Sequence, residues 1–174
     1  MGRKIKIAFS NNEEDTAFTF IHDLGFIPKI VGGQRGFKVV IGGGLGANPM
    51  LALTAYEFLP EDQIIPFTEG VLRVFDRYGE RTRRMKARFK FLLEEIGLEQ
   101  LMLRVVEETK ALKFKSYTID QNALPQSILP SAIVHETAIQ NDEINYKKWL
   151  DTNVIRQKQE GYFGVYVRVL LGNL

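Results

Sequence analysis

Lys4 and Lys6 stand two residues apart in the run Arg3-Lys4-Ile5-Lys6-Ile7-Ala8-Phe9, where charged and apolar side chains alternate. Alternation of this kind predicts a half-buried strand over Arg3–Phe9, and residues i and i+2 of a strand share a face. Two ammonium groups held side by side repel each other unless they are solvated or share an anion. The pair is therefore either a charged edge that discourages strand-to-strand aggregation or one wall of an anion site.

A second candidate is the run Gly42-Gly43-Gly44-Leu45-Gly46-Ala47, which follows directly on an apolar segment. It satisfies the looser dinucleotide pattern G-x-G-x-x-A, and the backbone N–H groups of such a loop can cradle phosphate or carboxylate oxygens. Against a dinucleotide fold, Pro49 sits where the helix should be establishing itself. No second strand ends in an acidic residue about 20 positions further on. An anion-cradling loop and a plain tight turn both stay open.

Third comes the basic stretch from Arg81 to Lys90. Arg81, Arg84 and Arg88 are spaced i, i+3, i+7 and share one face of a helix, here predicted over about 83–97. Met85, Phe89, Leu92 and Ile96 form the adjoining apolar face, with Arg83, Lys86 and Lys90 on the remaining surface. A solvated face, a grip on nucleic-acid phosphates and a grip on a carboxylate-rich ligand are the three readings. Aromatic residues do not interleave with the arginines in a base-stacking pattern, which argues against nucleic acid. His22 and His135 read as structural or surface histidines.

These residues must be positioned by a chain of 174 residues, enough for one well-buried domain or one domain and part of another. With 45% hydrophobic and 25% charged residues the composition is that of an ordinary globular protein, and a net charge of +2 is too small for a general nucleic-acid binder. Cysteine is absent and only two histidines are present. That excludes a disulfide framework, a thiolate nucleophile and a Cys-ligated zinc or iron–sulfur site within this chain, and no metal site is expected. No apolar run approaches the roughly 20 residues of a membrane span, and the basic N-terminus lacks a signal-peptide core. A cytoplasmic location is expected.

Ala17, Phe18 and Ile21 predict a short helix starting near Asp15 and stopped by Gly25. Phe26–Val31 and Phe37–Ile41 predict a hairpin across Gly32 to Gly36. Helices are predicted over about 51–57, 61–78, 83–97 and 98–112. Residues 113–145, with Pro125 and Pro130 among polar residues, read as a connecting arm. A new unit opens near Tyr146, and Gly164–Leu171 reads as a strand.

Taken together, in this order, the features resemble one repeat of the sirohaem-dependent nitrite/sulfite reductase haemoprotein family. Arg3-Lys4-Ile5-Lys6 is similar to that family's R-K-aromatic-K strand, and Phe37 to Leu45 to its glycine-rich strand end. Tyr78 to Arg88 is similar to its G-x-R-x-x-R-x-x-A-[KR] element, followed by a leucine-rich stretch like Phe91 to Leu103. Trp149 to Leu174 resembles the opening of the second repeat. The family's cluster-binding C-x-x-x-C element precedes an I-x-D-[IL]-G-F segment. Ile21-His22-Asp23-Leu24-Gly25-Phe26 matches that segment, which puts Asn12 and Thr16 at the cysteine positions.

The resemblance implies a piece of a longer enzyme, in a degenerate, cluster-free copy. The expected fold is α/β (α+β): a mixed sheet with packed helices over 1–112, an arm over 113–145, and the start of a ferredoxin-like half over 146–174. It implies that Lys4 and Lys6 face bound sulfite or nitrite, neutralising the oxyanion and donating protons as oxygen leaves as water. Arg3, Arg81, Arg84 and Arg88 would lie near sirohaem carboxylates, and Gly42, Gly43 and Gly44 would let backbone approach the cofactor closely. Sirohaem and a 4Fe–4S cluster belong to the parent enzyme, with none expected on this piece alone. An electron donor, a ferredoxin or a flavoprotein, and the rest of the parent chain are the implied partners. Lysine at position 6 favours sulfite.

Overall fold

In the computed structural model, which describes residues 4–120, 143–157 and 160–167, Ile7 pairs with Leu24 and Leu24 in turn with Ile41. These registry partners belong to β1 (Ile7–Phe9), β2 (Leu24–Val31) and β3 (Gln34–Ile41), with β4 (Leu53–Pro60) beyond β3. β1 runs parallel to β2 and the other pairs are antiparallel, so the four-stranded sheet is mixed, as the sequence implied. The β2–β3 hairpin forms as predicted. It turns on Gly32 and Gly33, whose φ angles of 57° and 81° suit the two-residue turn that matches strand twist.

Two helices cover one face of the sheet. α1 (Ile64–Tyr78) buries Phe67, Gly70, Val71, Val74 and Phe75, the three-to-four spacing of an amphipathic helix. Gly79 then leaves the helical region at φ −66°, ψ 144° and ends it. α2 (Phe89–Lys110) buries Phe89, Leu92, Leu93, Leu101 and Val105. These side chains meet Leu24, Phe26, Val39, Ile41 and Leu59 of the sheet in one core. Gly70 lets the helices close up, since a Cβ there would stand 2.5 Å from Thr109 Oγ1. Burying each of the larger side chains is worth about 1.5–3 kcal/mol.

Several local expectations fail for identifiable reasons. The stretch predicted as a helix over 51–57 is strand β4, because Thr54, Tyr56 and Phe58 favour extended backbone and β3 offers an edge to pair with. Only a 3-10 turn, Thr19–Ile21, forms where a short helix was expected, after Phe18 turns left-handed at φ 51°. Gly25 does not stop that turn; it lies within β2, where a Cβ would stand 2.5 Å from Thr19 Cβ. The first strand covers Ile7–Phe9 alone, and Lys4 to Lys6 precede it outside any regular element. The break expected between helices over 83–97 and 98–112, by contrast, is present: α2 starts at Phe89 instead of 83, and its backbone leaves the helical region at Gly97 with φ 76°, ψ 162°, dividing it into two helical stretches across a kink. Only glycine occupies that backbone region freely.

A second compact unit is described separately. α3 (Glu143–Asn153) runs into β5 (Val154–Arg156), which pairs antiparallel with β6 (Phe163–Val165). Arg3, His135, the centre of the proposed arm and the end of the proposed strand at 168–171 lie outside the described residues. Among the described residues, no helix is long and apolar enough to cross a membrane.

Candidate functional site

The registry of Ile7, Leu24 and Ile41 dictates what lies one residue beyond each strand end. Lys6, Asp23 and Gly42 stand side by side at the same end of the sheet. Asp23, completely buried, links them. The Lys6 backbone N–H donates to Asp23 Oδ2 at 2.9 Å, and the Gly42 N–H donates to the Asp23 carbonyl at 2.8 Å. Leu24 N–H donates to the Lys6 carbonyl at 3.1 Å, so the Lys6 backbone is held on both sides.

Arg88 arrives at the same carboxylate from 65 residues away in sequence, its Nη2 donating to Oδ1 at 3.1 Å and Oδ2 at 3.0 Å. It caps α2 with extended backbone at φ −88°, ψ 152°. That extended residue is why the predicted basic helix face does not form. Arg84 sits on a 3-10 turn, Arg84–Lys86, while Arg81 lies before it, so the three arginines do not share a helix. Arg81 pairs instead with Asp76 at 2.9 Å. Met85, expected in an apolar face, is 81% exposed.

Glu80 organises this turn. Its carboxylate accepts the Thr82 hydroxyl at 2.7 Å, the Arg83 N–H at 3.1 Å, the Arg83 Nε at 2.5 Å and the Thr82 N–H at 2.8 Å. Those donors, the Thr82 hydroxyl foremost, hold its carboxyl far below the usual carboxylate range.

The glycines of the candidate loop are required by packing. Gly42 has φ +89°, and a Cβ on it would run into Leu93. A Cβ on Gly43 would run into the carbonyl of Phe20 and stand 2.8 Å from that of His22. Gly44 and Met50 exchange two 2.9 Å backbone hydrogen bonds, so a loop closes here where the dinucleotide pattern needs a helix. Lys90, assigned to the surface from its helical position, is 3% exposed. It donates to the carbonyls of Gly44 at 3.4 Å and Leu45 at 3.5 Å, and to that of Asn48.

An open hollow of about 320 Å³ lies between this loop and the start of α2, bounded among others by Asn48, Met85, Lys86, Arg88 and Lys90. Lys4 and Lys6 are exposed. His22 is tied locally, its Nδ1 lying 3.0 Å from the Phe18 carbonyl.

Residues 1–114 match the family model described as the nitrite and sulphite reductase 4Fe-4S domain. The chain belongs to that family. It is 34% identical over 138 residues to the sulfite reductase [NADPH] hemoprotein beta-component of Nitrobacter hamburgensis, covering 72% of this chain and 23% of that one. It is 30% identical over 155 residues to the chloroplastic ferredoxin–nitrite reductase of Oryza sativa subsp. japonica, covering 86% of this chain and 22% of that one. The solved structure of Mycobacterium tuberculosis NirA superposes with a TM-score of 0.57 at 29% identity, over 68% of this chain and 22% of that one. The chain thus spans 22–23% of the length of these curated relatives.

Of the residues singled out in the sequence, Lys6, Gly42 and Arg88 converge on Asp23, and Gly44 borders the same place through Lys90. Arg81 is bound elsewhere. Asp23 and Lys90 received no role from the sequence. A lone acid placed at the mouth of an apolar strand, with a counter-ion required for burial, is the signal available for Asp23. Lys90 lies between Phe89 and Phe91 and three residues before Leu93, a spacing that turns it inward.

A 4Fe–4S cluster does not fit this chain's own residues, because it contains no cysteine. A carboxylate-bearing ligand fits better: the hollow is open enough to admit one acidic edge of a larger group and is bounded by the exposed Lys86, while Arg88 and Lys90 in its wall are already held by Asp23 and by loop carbonyls.

Proposed function

We propose that this chain supplies the anion-facing wall of a sirohaem-dependent sulfite reductase and has no turnover alone. The observation that carries the reading is the convergence of Lys6, Gly42 and Arg88, from three separate family motifs, on one buried residue: Lys6 N–H and Arg88 Nη2 donate to the Asp23 carboxylate and Gly42 N–H to its backbone carbonyl. Sirohaem, when bound, would supply the iron centre and the electrons for the reduction. Lys4 and Lys6, exposed beside the braced sheet end, neutralise the oxyanion and deliver protons as oxygen departs as water. Lys86, and Arg84 on its exposed turn, meet cofactor carboxylates. Lysine at position 6 favours sulfite over nitrite. The iron ligand, the cluster cysteines and the docking surface for a ferredoxin or flavoprotein donor belong to the rest of the parent chain, in the cytoplasm.

A nucleic-acid grip by residues 81–90 is the weaker reading. Arg81 is paired with Asp76, Arg83 with Glu80 and Arg88 with Asp23, so these three charges are already answered within the chain. Such pairing leaves little to release counterions from a phosphate backbone.

Titration with sirohaem, followed by visible absorption, tests the reading in the longer parent chain and in its Lys4→Ala/Lys6→Ala variant. The double variant is expected to bind the cofactor and lose sulfite turnover. A parent chain with neither sirohaem nor reductase activity would overturn the assignment. Salt-dependent nucleic-acid binding that falls on Arg81→Ala and Arg84→Ala would favour the other reading.

A further inference from the structure

We propose that Asp23 is the positioning residue of this site, fixing where Lys6 and Arg88 stand relative to each other. The inference rests on Lys6 facing the anion. Asp23 is 0% exposed, and its carboxylate accepts both the Lys6 backbone N–H and the Arg88 guanidinium. A buried ion pair is weak support for stability, because well-packed apolar residues of similar volume often do as well. What apolar residues cannot do is hold a backbone N–H and a guanidinium at one point.

The form of the grip supports a geometric role. Arg88 meets the carboxylate end-on, Nη2 alone making both bonds, while its Nε is buried with no hydrogen-bond partner among the described residues. A side-on fork would give the arginine better hydrogen bonding. The end-on pose brings Nη2 beside the glycine loop, where it would lie 3.7 Å from a Cβ on Gly44. Asp23 also answers the charge of Arg88. Among the described residues, the exposed positive charge beside the sheet end is then that of Lys4 and Lys6, and Arg88 acts as a brace in place of a cofactor ligand.

Asp23→Asn keeps the side-chain shape and removes the charge. Because it leaves the Arg88 cation without its partner, Asp23→Asn/Arg88→Gln serves as the second variant if the single one does not fold. In the full 174-residue chain, amide hydrogen exchange at Lys6 should speed up by about tenfold or more in either variant. Amides of Val71 and Val105 should keep their protection. In the longer reductase, Asp23→Asn should lower kcat/KM for sulfite roughly 10- to 100-fold, with the sirohaem spectrum unchanged. Unaltered protection at Lys6 would overturn the proposal, as would unaltered kcat/KM in an enzyme that Lys6→Ala impairs. If Lys6→Ala itself leaves turnover intact, the anion-facing reading has failed first and the Asp23 role falls with it. If Lys6→Ala impairs the enzyme, the outcome for Asp23→Asn decides the Asp23 role alone.

Discussion

Lys90 Nζ lies 3.4 Å from the carbonyl oxygen of Gly44, inside the protein, and reaches the carbonyls of Leu45 and Asn48 as well. One ammonium group thereby ties the first turn of α2 to the loop that follows β3. Carbonyl oxygens solvate the charge in place of water. Lys90→Met, similar in length but without donors, removes the tether and leaves those acceptors underused. It should lower unfolding free energy by about 1–3 kcal/mol, read from urea denaturation, and speed amide exchange at Met50. A variant as stable as the wild type, with Met50 still protected, would show that the tether is incidental.

The glycines of the loop should separate into two classes on substitution by alanine. At Gly43 the added carbon meets the backbone carbonyls of Phe20 and His22, neither of which is the end of a flexible side chain. At Gly46 nothing lies within 4 Å, and only the strain of φ +117° remains. Gly43→Ala should therefore cost about 1–3 kcal/mol or more. Gly46→Ala should cost less. Urea midpoints in the reverse order would contradict the close packing of residues 20–22 on the loop.

How far the sequence foretold this arrangement varied with the kind of signal. The β2–β3 hairpin was legible because Gly32-Gly33 sits between two apolar runs, a strictly local cue. Strand β4 was not, since Leu53–Pro60 becomes a strand only by pairing with β3, and its composition alone admits either state. The arginine face failed for a related reason. Helical spacing of Arg81, Arg84 and Arg88 assumes continuous helix, whereas the Arg88 backbone is extended where Arg88 reaches Asp23. Family resemblance pointed to Lys6, Gly42 and Arg88 one by one. That Lys6 and Gly42 meet at Asp23 follows from strand registry, and Arg88 joins them across 65 residues from the cap of α2; no single segment reveals either.

Glu80 gives the turn before α2 a defined pH response. Its carboxyl is depressed by the Thr82 hydroxyl first, then by the Arg83 N–H, the Arg83 guanidinium and the Thr82 N–H. A group with a depressed folded-state pKa contributes stability above its unfolded value and loses it as pH falls toward the folded one. The turn should thus persist at about pH 4, where an ordinary glutamate is already titrating. The Thr82 amide chemical shift reports this directly, and in Glu80→Gln it should sit near the acid position at every pH. A wild-type Thr82 amide that titrates in the ordinary glutamate range would sink the assignment.

Arg88 and Arg81 both form pairs with aspartate, yet the two should respond very differently to truncation. Asp76 and Arg81 are about half exposed, with side-chain accessibilities of 51% and 49%, so water replaces the lost partner. Arg81→Ala should change stability by about 1 kcal/mol at most. Asp23 has 0% accessibility, and Arg88→Ala leaves its carboxylate buried with, among the described residues, the Lys6 N–H alone to answer it. Removing one partner of a buried pair costs about 3–5 kcal/mol; with Arg88 itself 25% accessible, the lower end is expected. The double variant Asp23→Asn/Arg88→Ala should recover part of that loss, because no buried charge is left. Urea denaturation of the wild type, Asp23→Asn, Arg88→Ala and the double variant closes the cycle. Equal effects of Arg81→Ala and Arg88→Ala would mean that the Asp23 carboxylate is wetter than its burial indicates.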